Sequence, residues 1–167
     1  MKYKILNNRI IEPEILNDNS LIAFIDFKLQ SNTDGHRTET PALNNLDIKA
    51  VHYNYAFNGQ SGFNRGLHLD GIDDYSTISI PVETDTFTVL IKAEGNVTFS
   101  GRLNGTINAK ETPVLIVEGD AIETDLDVDS IVNSLDIKIG VGQTTAYNMA
   151  VWDRKLQTEE IEEVMDI

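Results

Sequence analysis

The chain has 167 residues, 41% of them hydrophobic, with no cysteine and a formal net charge of −14. That length suits one domain with a substantial core, and the lack of cysteine excludes a disulfide framework, a thiolate nucleophile and a thiolate metal site. An acidic field with a pI near 4.4 repels phosphate backbones, so no nucleic-acid partner is expected.

Met1 to Ile11 carry Lys2, Lys4 and Arg9 among apolar residues, and no long apolar run follows, so no secretory leader is read there. No segment approaches the roughly twenty apolar residues that cross a bilayer, so membrane insertion is not expected. Residues 1–20 are expected to form an N-terminal arm or an edge strand. From there the dominant period is two. Leu21, Ala23, Ile25, Phe27 and Leu29 fall on one face of an extended segment. Ser31 to Asn45 is polar, contains Pro41 and reads as a long loop. Val51, Tyr53, Tyr55 and Phe57 alternate with His52, Asn54 and Ala56, which places the two tyrosines on the core side.

Phe87, Val89, Ile91 and Ala93 repeat the pattern, and Val114 to Val117 reads as a strand buried on both faces. Leu135, Ile137, Ile139 and Val141 alternate again, followed by Tyr147, Met149 and Val151. Asp34-Gly35, Asn58-Gly59, Asp70-Gly71 and Asn104-Gly105 mark turns between the runs. One short helix is predicted from Thr158 to about Asp166, with Glu159 and Glu160 at its positive end and Ile161, Val164 and Met165 as an apolar stripe. Short strands separated by regular turn signals predict an all-β antiparallel sandwich with one C-terminal helix, in a single domain spanning 1–167.

Three pieces resemble the laminin-G-like branch of the concanavalin A-like lectin/glucanase superfamily. Leu21-Ile22-Ala23-Phe24-Ile25-Asp26-Phe27 is similar to its opening strand. Gly66-Leu67-His68-Leu69-Asp70-Gly71-Ile72-Asp73-Asp74-Tyr75 is similar to its Phe-Asp-Gly-x-x-Asp-Tyr hairpin. Trp152-Asp153-Arg154-Lys155-Leu156-Gln157-Thr158-Glu159-Glu160-Ile161 is similar to its closing strand and helix start. The resemblance implies a jelly roll of two antiparallel sheets. Gln157 stands where the family has a Ser or Thr cap, which shifts the expected cap to Thr158. Arg154 is expected to tie a carboxylate or loop carbonyls.

Sugar recognition needs an aromatic surface flanked by polar groups. Trp152, the single tryptophan, is out of phase with Tyr147, Met149 and Val151 and so is a candidate for exposure. Trp152, Tyr147 and Tyr75 form the carbohydrate-binding set, with burial of Trp152 under the C-terminal helix as the structural alternative. Asp70, Asp73 and Asp74 offer hard oxygen ligands for calcium, although acids of such a hairpin also satisfy backbone N–H groups. His36, His52 and His68 are dispersed and suggest no zinc site. Glu123-Thr124-Asp125-Leu126-Asp127 approximates the Glu-x-Asp-x-Glu strand of laminarinase-type hydrolases, with Asp127 one methylene short.

The leading expectation is therefore a non-catalytic recognition or adhesion module for a cell-surface glycan or a protein. A module beginning at Met1 with no leader, no cysteine and strong acidity also resembles bacteriophage virion components such as a decoration, fibre or baseplate protein. The alternatives are a small glycoside hydrolase using Glu123 and Asp127, and a purely structural subunit assembled as a homo-oligomer.

Overall fold

The computed structural model describes residues 3–58, 60–110, 114–118, 121–122 and 125–167, with 114–118 and 121–122 described by their backbone alone. A hairpin of β1 (Lys4–Leu6) and β2 (Arg9–Glu12) opens the chain. Asn7 and Asn8 at its tip take φ of 50° and 62°, which asparagine tolerates better than most residues. The remaining strands are β3 (Leu21–Asp26), β4 (Glu39–Pro41), β5 (Lys49–Tyr53), β6 (Gly62–Phe63), β7 (Leu67–Leu69), β8 (Tyr75–Pro81), β9 (Thr86–Gly101), β10 (Leu103–Ala109), β11 (Val114–Glu118), β12 (Ala121–Ile122), β13 (Asp127–Val128), β14 (Ser134–Ile139) and β15 (Thr144–Trp152). The helix α1 (Thr158–Met165) closes the chain.

All described pairings are antiparallel, and they build two facing layers joined through β9. Its first half pairs with β11 and β15, and its second half pairs with β10 and β14. The change of partner falls at Gly95, whose φ is +112°; a Cβ there would lie 2.6 Å from the Gln143 carbonyl oxygen. Only glycine fits that crossing. The first layer runs β12-β11-β9-β15, with β3 and then β7 and β6 along the far side of β15. The second runs β4-β5-β8-β14-β9-β10-β13.

The inner faces supply one core: Ala23, Ile25, Val89, Ile91, Met149 and Val151 from the first layer meet Ile78, Ile80, Leu135, Ile137, Val97 and Phe99 from the second. Each large apolar side chain fully buried here contributes about 1.5–3 kcal/mol. This is the all-β sandwich with a short C-terminal helix that the period of two predicts. The outer face of the first layer is covered too. Ile10, Ile15, Leu16, Phe24, Leu90, Trp152, Leu156 and Val164 form a second cluster there, so residues 3–20 and α1 roof that face.

Several local expectations are corrected. The predicted loop from Ser31 to Asn45 contains β4, and Leu29 is 58% exposed, because β3 ends at Asp26 and Phe27–Leu29 turn as a 3-10 helix. In β5 the phase is the reverse of the expected one. Ala50 and His52 face the core, while Tyr53 is 40% exposed. The physical reason is that His52 is fully satisfied inside: Thr40 Oγ1 lies 2.7 Å from Nε2 and Ser76 Oγ lies 2.7 Å from Nδ1. Val114–Glu118 is a strand as expected, though its side chains lie outside the described residues. The helix begins at Thr158 with Gln157 as its cap residue, one position earlier than expected, because the Glu160 carboxylate accepts the Gln157 N–H at 2.9 Å. Arg154 binds carboxylates as expected, donating to Asp18 at 2.7 Å and to both oxygens of Glu160.

Candidate glycan-binding face

The outer face of the second layer is uncovered, and its strand register sets the side chains in rows. Val51, Thr77, Lys138, Thr98 and Thr106 lie side by side across β5, β8, β14, β9 and β10. Ser79, Asp136 and Ser100 form a parallel row. Hydroxyls dominate, and Thr98 and Thr106 bond to each other at 3.0 Å. Opposite-facing residues alternate along each strand, so the same strands that fill the core also present this polar surface.

At one end of the face stand two tyrosines. Tyr53 and Tyr75 are directly paired across β5 and β8, with ring centroids 4.7 Å apart and planes 16° from parallel. Lys138, on the other side of β8, places Nζ 4.6 Å from the Tyr75 centroid. Tyr75 is thus held between Tyr53 and an ammonium, a favourable contact for a ring quadrupole. Tyr53 is 40% exposed. Such a flat, partly apolar ring beside hydroxyls suits stacking with the C–H face of a sugar.

The loop Asp70–Asp74 leads straight into Tyr75. Gly71 takes φ +79°, and a Cβ there would lie 2.5 Å from the Gln143 nitrogen, so the turn needs glycine. Asp70 Oδ1 accepts the Ile72 N–H at 2.8 Å, and Asp74 Oδ2 accepts the Asp70 N–H at 3.1 Å. Asn54, next to Tyr53, donates to the Asp73 carbonyl at 3.2 Å, which ties this loop to the far side of the stack. Asp70, Asp73 and Asp74 bring three carboxylates together, with ligand atoms within 4.8 Å of one another. The Ile72 N–H and the neighbouring Asp74 hold Asp70 below the usual carboxylate range. Burial and the Asp70 charge push Asp74 up. Asp74 is 2% exposed, and its Oδ1 has no hydrogen-bond partner among the described residues. This donor set, with one orphaned buried oxygen, fits a hard cation such as calcium.

The other predicted residues are placed elsewhere. Trp152 is fully buried beneath the N-terminal segment and donates Nε1–H to the Ile15 carbonyl at 3.0 Å, so its ring offers no face to a sugar. Tyr147 lies half-buried on the first layer, apart from Tyr75. Asp127 is exposed on β13, and Glu123 lies outside the described residues. His68 is half-buried and bonded to Thr145 and the Asn64 carbonyl. The sequence offers Tyr53 as a further aromatic candidate but places it on the core side, whereas it is 40% exposed, and it gives no sign of Lys138. Tyr53 and Tyr75 are 22 positions apart, and only the β5–β8 register reveals that they touch.

No family model matches the sequence, and no curated protein matches it. Solved structures do. A sialidase from Trypanosoma rangeli superposes with a TM-score of 0.57 at 11% identity, covering 89% of this chain and 33% of that one. The same enzyme in complex with sialic acid gives 0.56 at 10% identity over the same shares. Its complex with 2-keto-3-deoxy-D-glycero-D-galacto-2,3-difluoro-nononic acid gives 0.56 at 10%, covering 99% of this chain and 36% of that one. The chain thus spans about a third of the length of these sialidases, and at this identity the likeness shows the β-rich fold. The expectation that the chain is no enzyme is corrected by these matches: sialidases are enzymes, and one is a covalent intermediate with 2,3-difluorosialic acid. None of these matches concerns a virion.

Proposed function

We propose that the chain is a glycan-recognition domain of a carbohydrate-active protein, binding sugar on the outer face of the second layer. The observation that carries this reading is the exposed Tyr53–Tyr75 stack beside Lys138, set at the end of rows of hydroxyls. The sialic acid and nonulosonic acid complexes of the structural neighbours add support from outside the chain. Tyr53 supplies the stacking surface, while Thr77, Ser79, Asp136 and Lys138 supply hydrogen-bond donors and acceptors for hydroxyls.

Asp70, Asp73 and Asp74 would hold a calcium ion in the same reading. Its charge would offset the repulsion among three clustered acids and fix the loop that enters Tyr75. The test is a glycan array with the purified protein, run with calcium and with chelator, for the native chain and Tyr53→Ala. Binding to a defined sugar class that is lost in Tyr53→Ala is the expected result. An array blank in every condition overturns the reading. Chromatography of each bound glycan after incubation reports whether it is also cleaved.

A further inference from the structure

On the opposite layer, three of the eight lysines of this acidic chain converge. Lys28, Lys92 and Lys110 line a cavity of about 370 Å³ together with Glu94, Tyr147 and Ile167. The ladder between β9 and β15 slips between Ala146 and Asn148, and Tyr147 is the residue at that irregularity. Bulges of this kind re-aim a side chain. Its ring sits over Gly66, where a Cβ would lie 3.1 Å from a ring carbon.

The polar groups here are mostly donors. Lys28 Nζ donates to the Ile167 carbonyl at 2.8 Å and Lys92 Nζ to the Met165 carbonyl at 2.9 Å. An ammonium has three N–H groups, so one such bond leaves each lysine able to donate to a further acceptor. Burial and the Lys28 charge hold Lys92 below the usual lysine range, against the opposite pull of Asp166 and Asp26. Both oxygens of Asp26 are engaged, one by Tyr3 and one by the Lys28 N–H. Asn148, opposite Lys92 and Asp26 in the ladder, is 1% exposed, and its Nδ2 has no acceptor among the described residues. Burial and Glu94 push the Tyr147 hydroxyl up, which keeps it a donor. Three lysines converging on one cavity call for an anionic, acceptor-rich ligand.

We infer that this cavity binds the carboxylate of an acidic monosaccharide unit. The ammonium groups of Lys28, Lys92 and Lys110 surround the carboxylate, and Tyr147 lies against the sugar ring. The site is separate from the Tyr53–Tyr75 face, and its test is separable from that of the proposed function. D-glucuronate, D-glucose and inorganic sulfate are titrated calorimetrically at fixed ionic strength into the native chain, Lys110→Gln, Lys92→Gln and Lys92→Arg.

Glucuronate is expected to bind and glucose not to. Lys110→Gln, an exposed change that leaves the melting curve in place, is expected to weaken glucuronate about tenfold, the effect of one lost charge-assisted contact. Lys92→Gln weakens it further, and Lys92→Arg retains it. Equal binding of glucose, binding of sulfate without glucuronate, or an unaltered affinity in Lys110→Gln overturns the assignment.

Discussion

Acidification acts most directly on the buried ring of His52. That ring is 6% exposed and set among Phe27, Tyr55 and Phe63, with both nitrogens engaged by hydroxyls. Ser76 Oγ in turn contacts the Tyr55 hydroxyl at 2.7 Å, and Thr40 contacts Gln30, so the network has no counter-charge ready for an imidazolium. Burial lowers the pKa of His52 from 6.5 to about 4. In the unfolded chain the ring binds its proton near pH 6.5; in the folded chain it does so only near 4. Its contribution is therefore fully present above about pH 6.5 and is lost as pH falls towards 4.

At about 1.4 kcal/mol per pKa unit, the full loss is about 3 kcal/mol, of which about 2 kcal/mol is gone by pH 5. Asp18, lowered by the Ser20 N–H and Arg154, and Glu160, lowered by Arg154, act mainly at lower pH. Asp74, raised by burial, works in the opposite sense. Urea unfolding at pH 7, 6 and 5, followed by Trp152 fluorescence, measures the effect, and His52→Gln removes the pH dependence while lowering the baseline. Equal stability at pH 7 and 5, or the same slope in His52→Gln, would refute the reasoning.

Arg102 is 1% exposed, donates to the carbonyls of Val82, Thr84 and Val132, and lies over Phe87. Arg102→Met leaves those carbonyls unpaired and is expected to cost about 3 kcal/mol in urea unfolding. An unchanged midpoint would mean that the guanidinium ties nothing. Trp152→Phe removes the bond to the Ile15 carbonyl and is expected to cost about 1–3 kcal/mol. The native emission should be that of a buried indole and should not respond to sugar. Calcium is expected to raise the melting temperature of the native chain and to have no effect on Asp73→Ala/Asp74→Asn. A chelator-insensitive melt in calcium buffer would dismiss the ion.

The period of two was enough to predict the sandwich, because strands of the second layer bury one face and β8 and β14 alternate cleanly. It failed where tertiary contacts override local pattern. In β5, Val51, Tyr53, Tyr55 and Phe57 look like the apolar face, yet the strand ends at Tyr53 and Asn54 takes φ +64°. His52 goes inward because Thr40 and Ser76, 12 and 24 positions away, satisfy its ring. Trp152 is buried, as the structural alternative has it, but its cover comes from both ends of the chain. Its face of β15 is covered by residues 3–20, and no alternation within β15 could announce a roof built from the other end of the chain. Of the sugar-binding candidates, Tyr75 alone joins the proposed face. The clustering of Asp70, Asp73 and Asp74 was legible, since all three lie within one turn.

The central claim is that sugar is recognised on the Tyr53–Tyr75 face. Nuclear magnetic resonance of the nitrogen-15-labelled protein, titrated with a glycan that binds on the array, tests it most directly. The amide signals of Tyr53, Tyr75, Thr77, Lys138 and Thr98 are expected to shift together and to stay fixed in Tyr53→Ala. Shifts confined to other surfaces, or the same shifts in Tyr53→Ala, would contradict it.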